Sequence, residues 1–142
     1  MYNIIMAEEK PTAAFVLSLI GGIFILLHAI AVLIFVGVIG SAFSVVPIFG
    51  MIGGLLMIFG IVGLIFAILV IIGAVMINSG DPQRVRTGGI LVLIFSILSL
   101  FTAGGGFFIG FILGLVGGIL ALVWKPSKAP VTQEATAPPP PS

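Results

Sequence analysis

The sequence contains no cysteine. This excludes a disulfide framework and any thiolate metal site. Histidine occurs once, as His28, and one imidazole does not make a zinc or haem site of the usual composition. Charge is almost as scarce: 6% of the 142 residues are charged and 61% are hydrophobic. Soluble domains carry roughly a quarter charged residues, so a water-soluble fold would have too little polar side chain to cover its surface. Lipid removes that requirement. The net charge of +1 leaves no electrostatic footprint for nucleic acid. No carboxylate lies inside a long apolar run, so no serine has a base beside it and hydrolase chemistry is not expected. Neither enzymatic activity nor a cofactor or metal is expected.

What is present is apolar sequence in four lengths. The composition predicts an all-α, integral membrane four-helix bundle made of two helical hairpins. The expected spans are residues 12–39, 48–77, 87–102 and 106–124, within one domain over residues 12–126. Pro11 suits a first helical turn, where its missing N–H costs nothing. Gly40, Ser41, Ser44 and Pro47 mark an uncharged connection. Asn78, Gly80, Asp81 and Pro82 mark a second, polar one. The run Ala103, Gly104, Gly105 and Gly106 reads as the turn between the last two spans. It lacks the lysine of a phosphate-binding loop. The first two spans exceed a hydrocarbon core of roughly 30 Å and must tilt, bend or protrude. The last two are short, which predicts a recess at their turn, roofed by the first hairpin or by a partner. Residues 127–142 end in four prolines before Ser142. They have no apolar face to bury and are expected to be a disordered, proline-rich tail.

Glycine spacing is the strongest pattern. Gly106, Gly110, Gly114 and Gly118 recur at every fourth position, so on a helix they share one face. A face without side chains lets a second helix approach closely and accumulate dispersion and weak Cα–H···O contacts. Glycine-mediated packing, a glycine zipper, is therefore expected. Ala14, Ser18 and Gly22 form a second small-residue row, with Gly21 beside it. Gly63 and Ala67, with Ala74 two turns on, form a third.

Charge placement gives orientation. Glu8, Glu9 and Lys10 precede the first span; Asp81, Arg84 and Arg86 lie between the second and third; Lys125, Lys128 and Glu134 follow the fourth. The other two connections carry none. With four spans, all charge falls on one side, and the positive-inside rule places both termini in the cytoplasm of a multi-pass cell-membrane protein. Glu8 and Glu9, and a following apolar run too long for a signal core, argue against a cleaved secretory signal. Met6 is an alternative start. Trp124 and Lys125 form an interfacial anchor.

His28 is the one ionisable residue inside a span. It reads either as an intramembrane polar site or as a neutral imidazole bonded to a carbonyl or neighbouring helix. Met51, Met57 and Met76 on the second span are core fillers in preference to copper ligands. Ser96 and Ser99 bond across helices or back to their own helix. Residues 16–27 resemble residues 112–123, a match that simple apolar composition readily produces.

Lys10 to Ile23, the glycine-rich spans and Gly117 to Pro126 together resemble a family of small four-span membrane proteins found widely in archaea and some bacteria, over about residues 10–126. The resemblance implies topology and no established activity. The function expected is a structural or assembly role, as an accessory subunit packing against other membrane proteins or against itself, with lipids as surroundings. The alternative is an oligomeric channel or transporter for a small or apolar solute.

Overall fold

The computed structural model describes residues 10–125. Among them are four α-helices and no strand: α1 (Thr12–Phe43), α2 (Pro47–Ile77), α3 (Pro82–Phe107) and α4 (Ile109–Val123). The proline-rich tail expected over residues 127–142 lies outside the described residues. Three helices, α1, α2 and residues 82–102 of α3, are long and apolar enough to cross a membrane. Together with the composition, this makes the chain a membrane protein.

Helix ends follow local chemistry. Ser41 Oγ donates to Val38 O at 2.9 Å and Ser44 Oγ donates to Ser41 O at 2.9 Å. α1 thus runs past Gly40 and Ser41, expected to end it, to Phe43, with these hydroxyls satisfied on its own carbonyls. Pro47 then opens α2 at its first position. α2 stops at Asn78, and Gly80 takes the left-handed conformation at φ 76°. Asp81 starts α3. Its carbonyl accepts from Val85 N at 2.8 Å and its Oδ1 from Gln83 N at 3.4 Å, so Pro82 takes the first helical position. Arg84 and Arg86, expected in a loop, therefore sit in the first turns of α3.

The third helix also outruns its expected end. It continues through the glycine run to Phe107, and the break falls at Phe108, at φ 68°. Gly106 thus belongs to the last turn of α3 and does not join the α4 row. Glycine gives the chain permission to turn, but in lipid each helical bond kept is a polar group satisfied.

Each helix packs on its sequence neighbour; α1 also packs on α4, and α1 and α3 touch across the diagonal. The interior is built from small and branched side chains: Ile25, Val70, Ile77, Val85 and Val92 are fully buried beside Ala29, Ala67 and Ala74. Phenylalanines such as Phe35, Phe59 and Phe101 point outward. That is the arrangement lipid selects, since large apolar side chains gain nothing by leaving an apolar solvent while close backbones gain dispersion contacts. Phe66 and Phe95 join α2 to α3 with ring centroids 5.4 Å apart.

The bundle is uneven along its length. Its polar end carries Lys10, Asp81, Arg84, Arg86 and Lys125. At the other end, among the described residues, the outer parts of α1 and α2 project with little covering. Between Val36 and Gly60 no residue is buried. With 32 and 31 residues, α1 and α2 are about 48 and 46 Å long, well beyond a hydrocarbon core of roughly 30 Å.

Candidate functional site

α1 and α4 come close at Ala14, Ser18 and Gly21 on one side and Gly110, Gly114 and Gly117 on the other. A Cβ built on Gly21 of α1 would stand 2.7 Å from Gly114 N and 2.9 Å from Gly110 O of α4. A Cβ on Gly117 of α4 would stand 2.7 Å from Ser18 N and 3.1 Å from Ala14 O of α1. The two glycines occupy equivalent places, each facing the amide and the preceding-turn carbonyl of the other helix. This local two-fold relation pairs residue 21 with 117, 18 with 114 and 14 with 110. It is the same register as the similarity between residues 16–27 and 112–123. The match between the two segments, which apolar composition readily produces, thus coincides with a self-complementary antiparallel contact.

α4 meets α3 through its other side. A Cβ on Gly114 would overlap Ser96 Oγ, and one on Gly118 would lie 3.0 Å from Gly89 O. Ser18 and Ser96 are fully buried, and neither hydroxyl has a hydrogen-bond partner among the described residues. Each oxygen instead faces a glycine Cα–H of α4, Ser18 at Gly117 and Ser96 at Gly114. Ser99 bonds back to its own helix, donating to Ser96 O at 2.8 Å.

Gly22 leaves the row expected with Ala14 and Ser18. It faces α2, where an added Cβ would meet Ile71 Cγ1 at 2.8 Å and Val70 Cγ1 at 3.1 Å. Gly63 and Ala67 are buried on α2. His28 is half-buried on α1. Gly60 is apposed to Leu33, which sets Met57 about two helical turns beyond His28. Met51 and Met57 are exposed on the outer hairpin.

One organising feature escapes a reading helix by helix. Each helix carries an adjacent glycine pair, Gly21 and Gly22, Gly53 and Gly54, Gly88 and Gly89, Gly117 and Gly118, and α3 has in addition the run 104–106 in its last turn. Adjacent residues of an α-helix diverge by about 100°, so a pair can face two neighbours of a four-helix ring. Three pairs do so. Gly21 faces α4 and Gly22 faces α2. Gly88 faces Met76 of α2, its built Cβ 2.9 Å from Met76 Cβ, and Gly89 faces Ala121 of α4 at 2.9 Å. Gly117 faces α1 and Gly118 faces α3. The pair on α2 differs. A Cβ on Gly53 would only reach Val36 Cγ1 at 4.0 Å, and one on Gly54 would meet nothing within 4 Å. Gly37 on α1 is equally open. Gly37, Gly53 and Gly54 line a groove of about 280 Å³ with Gly40, Ser41 and Met57.

The family described as Protein of unknown function (DUF4064) matches residues 10–102. The chain belongs to this family. The match takes in α1, α2 and residues 82–102 of α3, and stops short of α4. No curated protein and no solved structure matches the chain.

Proposed function

We propose that this membrane protein is an assembly element, an accessory subunit that offers its outer hairpin to another transmembrane helix, of a larger complex or of a second copy. Glycine-mediated packing within the chain gives it a rigid body. The open glycine pair on α2 carries the reading. Glycine inside a helix costs about 1 kcal/mol relative to alanine, and the pairs on the other helices offset that cost with two close helix contacts each. Gly54 and Gly37 have no such contact among the described residues. A helix laid in their groove would supply it, and would cover an outer hairpin whose exposed surface includes Phe35, Ile39, Phe49 and Ile52.

The α4 glycines, by contrast, face helices of the same chain. Their replacement by leucine is expected to unfold the bundle rather than release a partner. The informative variant is Gly37→Leu/Gly54→Leu, purified beside the wild type after gentle solubilisation. A loss of co-purifying protein or of self-association, with helicity retained, is the expected result. Unchanged association would count against the outer hairpin as the contact. The orientation that goes with this role places the polar end in the cytoplasm, on the strength of Lys10, Arg84, Arg86 and Lys125 at one end of the bundle.

A further inference from the structure

The polar end of the bundle holds a cleft of a different chemistry from the glycine grooves. It opens between the start of α1 and the end of α4, has a volume of about 410 Å³, and is lined by Lys10, Thr12, Ala13, Leu120, Trp124 and Lys125 among others. We propose that this cleft binds the phosphate of an anionic phospholipid, with the first part of an acyl chain lying along the apolar seam between α1 and α4.

Two cations converge on it from opposite ends of the described chain. Lys10 precedes α1 and Lys125 follows α4, both exposed, and the contact between α1 and α4 brings them to the rim of one cleft. The start of α1 adds to their field. No side chain caps this helix and its first turn contains no acidic residue; Thr12 N donates to Lys10 O at 2.8 Å, and the remaining free N–H groups of that turn add positive potential at the cleft. The floor is apolar, from Ala13, Ala14, Leu120 and Val123. A free phosphate has no use for such a floor, whereas a diacyl lipid does. Trp124 marks the level of the membrane interface, where a phospholipid presents its phosphate. Basic pockets between transmembrane helices at this depth are suited to anionic headgroups. The inference rests on the membrane placement of the polar end and not on the assembly reading.

The test uses the full chain in neutral detergent, with phosphatidylglycerol and phosphatidylcholine offered at equal concentration and bound lipid read by native mass spectrometry. Each lysine near a membrane surface favours anionic lipid by about five-fold, so a preference for phosphatidylglycerol of roughly ten-fold or more is expected. Lys10→Gln/Lys125→Gln is expected to bring the two lipids to near parity. Arg84→Gln/Arg86→Gln, which removes as much charge at the same end, keeps the preference. Ala13→Phe, which fills the cleft without changing charge, lowers binding and so tests the site even if the lysine variant fails to fold. Equal binding of both lipids by the wild type overturns the proposal, as does a preference that survives both cleft variants. Loss in the arginine variant equal to that in the lysine variant overturns it in favour of bulk charge. Displacement of the lipid by inorganic phosphate alone overturns it in favour of a free-anion site.

Discussion

At the residue scale the glycines fall into two classes, and the classes make opposite predictions. Gly114 is buried with its Cα–H directed at Ser96 Oγ. Gly114→Ala forces a methyl into that oxygen and is expected to destabilise the bundle by about 1–3 kcal/mol, as overpacking does. Ser96→Gly in the same chain removes the obstructing side chain and is expected to recover part of the loss. An SDS titration followed by circular dichroism, run as a double-mutant cycle, reads both effects; additive losses would contradict the contact. Gly54→Ala places its methyl in open space. It is expected to leave the isolated chain unchanged or more stable, by up to about 1 kcal/mol of helix propensity. Loss of stability there in a monomeric preparation would mean that α2 has a packing contact within the chain. Ser18 and Ser96 show why their burial is tolerable. A hydroxyl in the interior costs about 1–3 kcal/mol without a partner; the facing glycine Cα–H groups offset part of that, at about 0.5–1 kcal/mol each.

At the element scale the first hairpin has two halves with different tasks. Its inner half packs against α4 through Gly21 and against α3 through Gly73, whose built Cβ lies 2.9 Å from Gly88 O. Its outer half, from residue 37 to residue 59, contains no buried residue. Phe43 and Phe49 close its tip edge-on, with ring centroids 5.8 Å apart. The chain has no native cysteine, so a single cysteine at Gly54 reports cleanly on what lies over the groove. Cross-linking of Gly54→Cys in native membranes to itself or to one defined protein is the expected outcome. The same cysteine at the lipid-facing Ile72, exposed on the inner half, is expected to give none. Equal cross-linking from both positions would show collision rather than docking.

Much of the elements was legible in the sequence, and the failures have physical causes. Pro47, Asn78 and Gly80 act as the start and stop residues that they resemble. The start of α3 was hidden because hydropathy registers Arg84 and Arg86 as loop, while Asp81 and Pro82 supply the capping that begins a helix there. The turn before α4 was misplaced by one helical turn or less because glycine permits a break without requiring it. That Gly110, Gly114 and Gly118 share one helix face was legible from their period. That Gly21 replaces Gly22 opposite it was not, because the 100° between them matters only once the neighbours on either side are known.

At the scale of the whole molecule, the charge asymmetry and the uneven thickness point the same way. The polar connections and the four-helix body lie toward one end, and a bare apolar hairpin lies at the other. On the proposed orientation, with the polar end in the cytoplasm, Ser79→Cys should be labelled by an impermeant maleimide only from the cytoplasmic face. Ser44→Cys, at the tip of the first hairpin, should be labelled only from the opposite face or be shielded. Labelling of both from one face would overturn the arrangement of the spans. α4 has 15 residues, about 22 Å of helix. Held between α1 and α3 by glycine contacts on two sides, it completes the body without reaching as far as the first hairpin. The difference in length exposes the groove around Gly54.

The central claim is that this groove is filled by a helix from outside the chain. Native mass determination after gentle solubilisation, on the wild type and on Gly37→Leu/Gly54→Leu, tests it most directly. The account predicts a wild-type particle that exceeds the 14.7 kDa chain by a defined protein partner or further copies, and a folded variant at the mass of the single chain. A wild type already at that mass, or a variant whose assembly is intact, would contradict it.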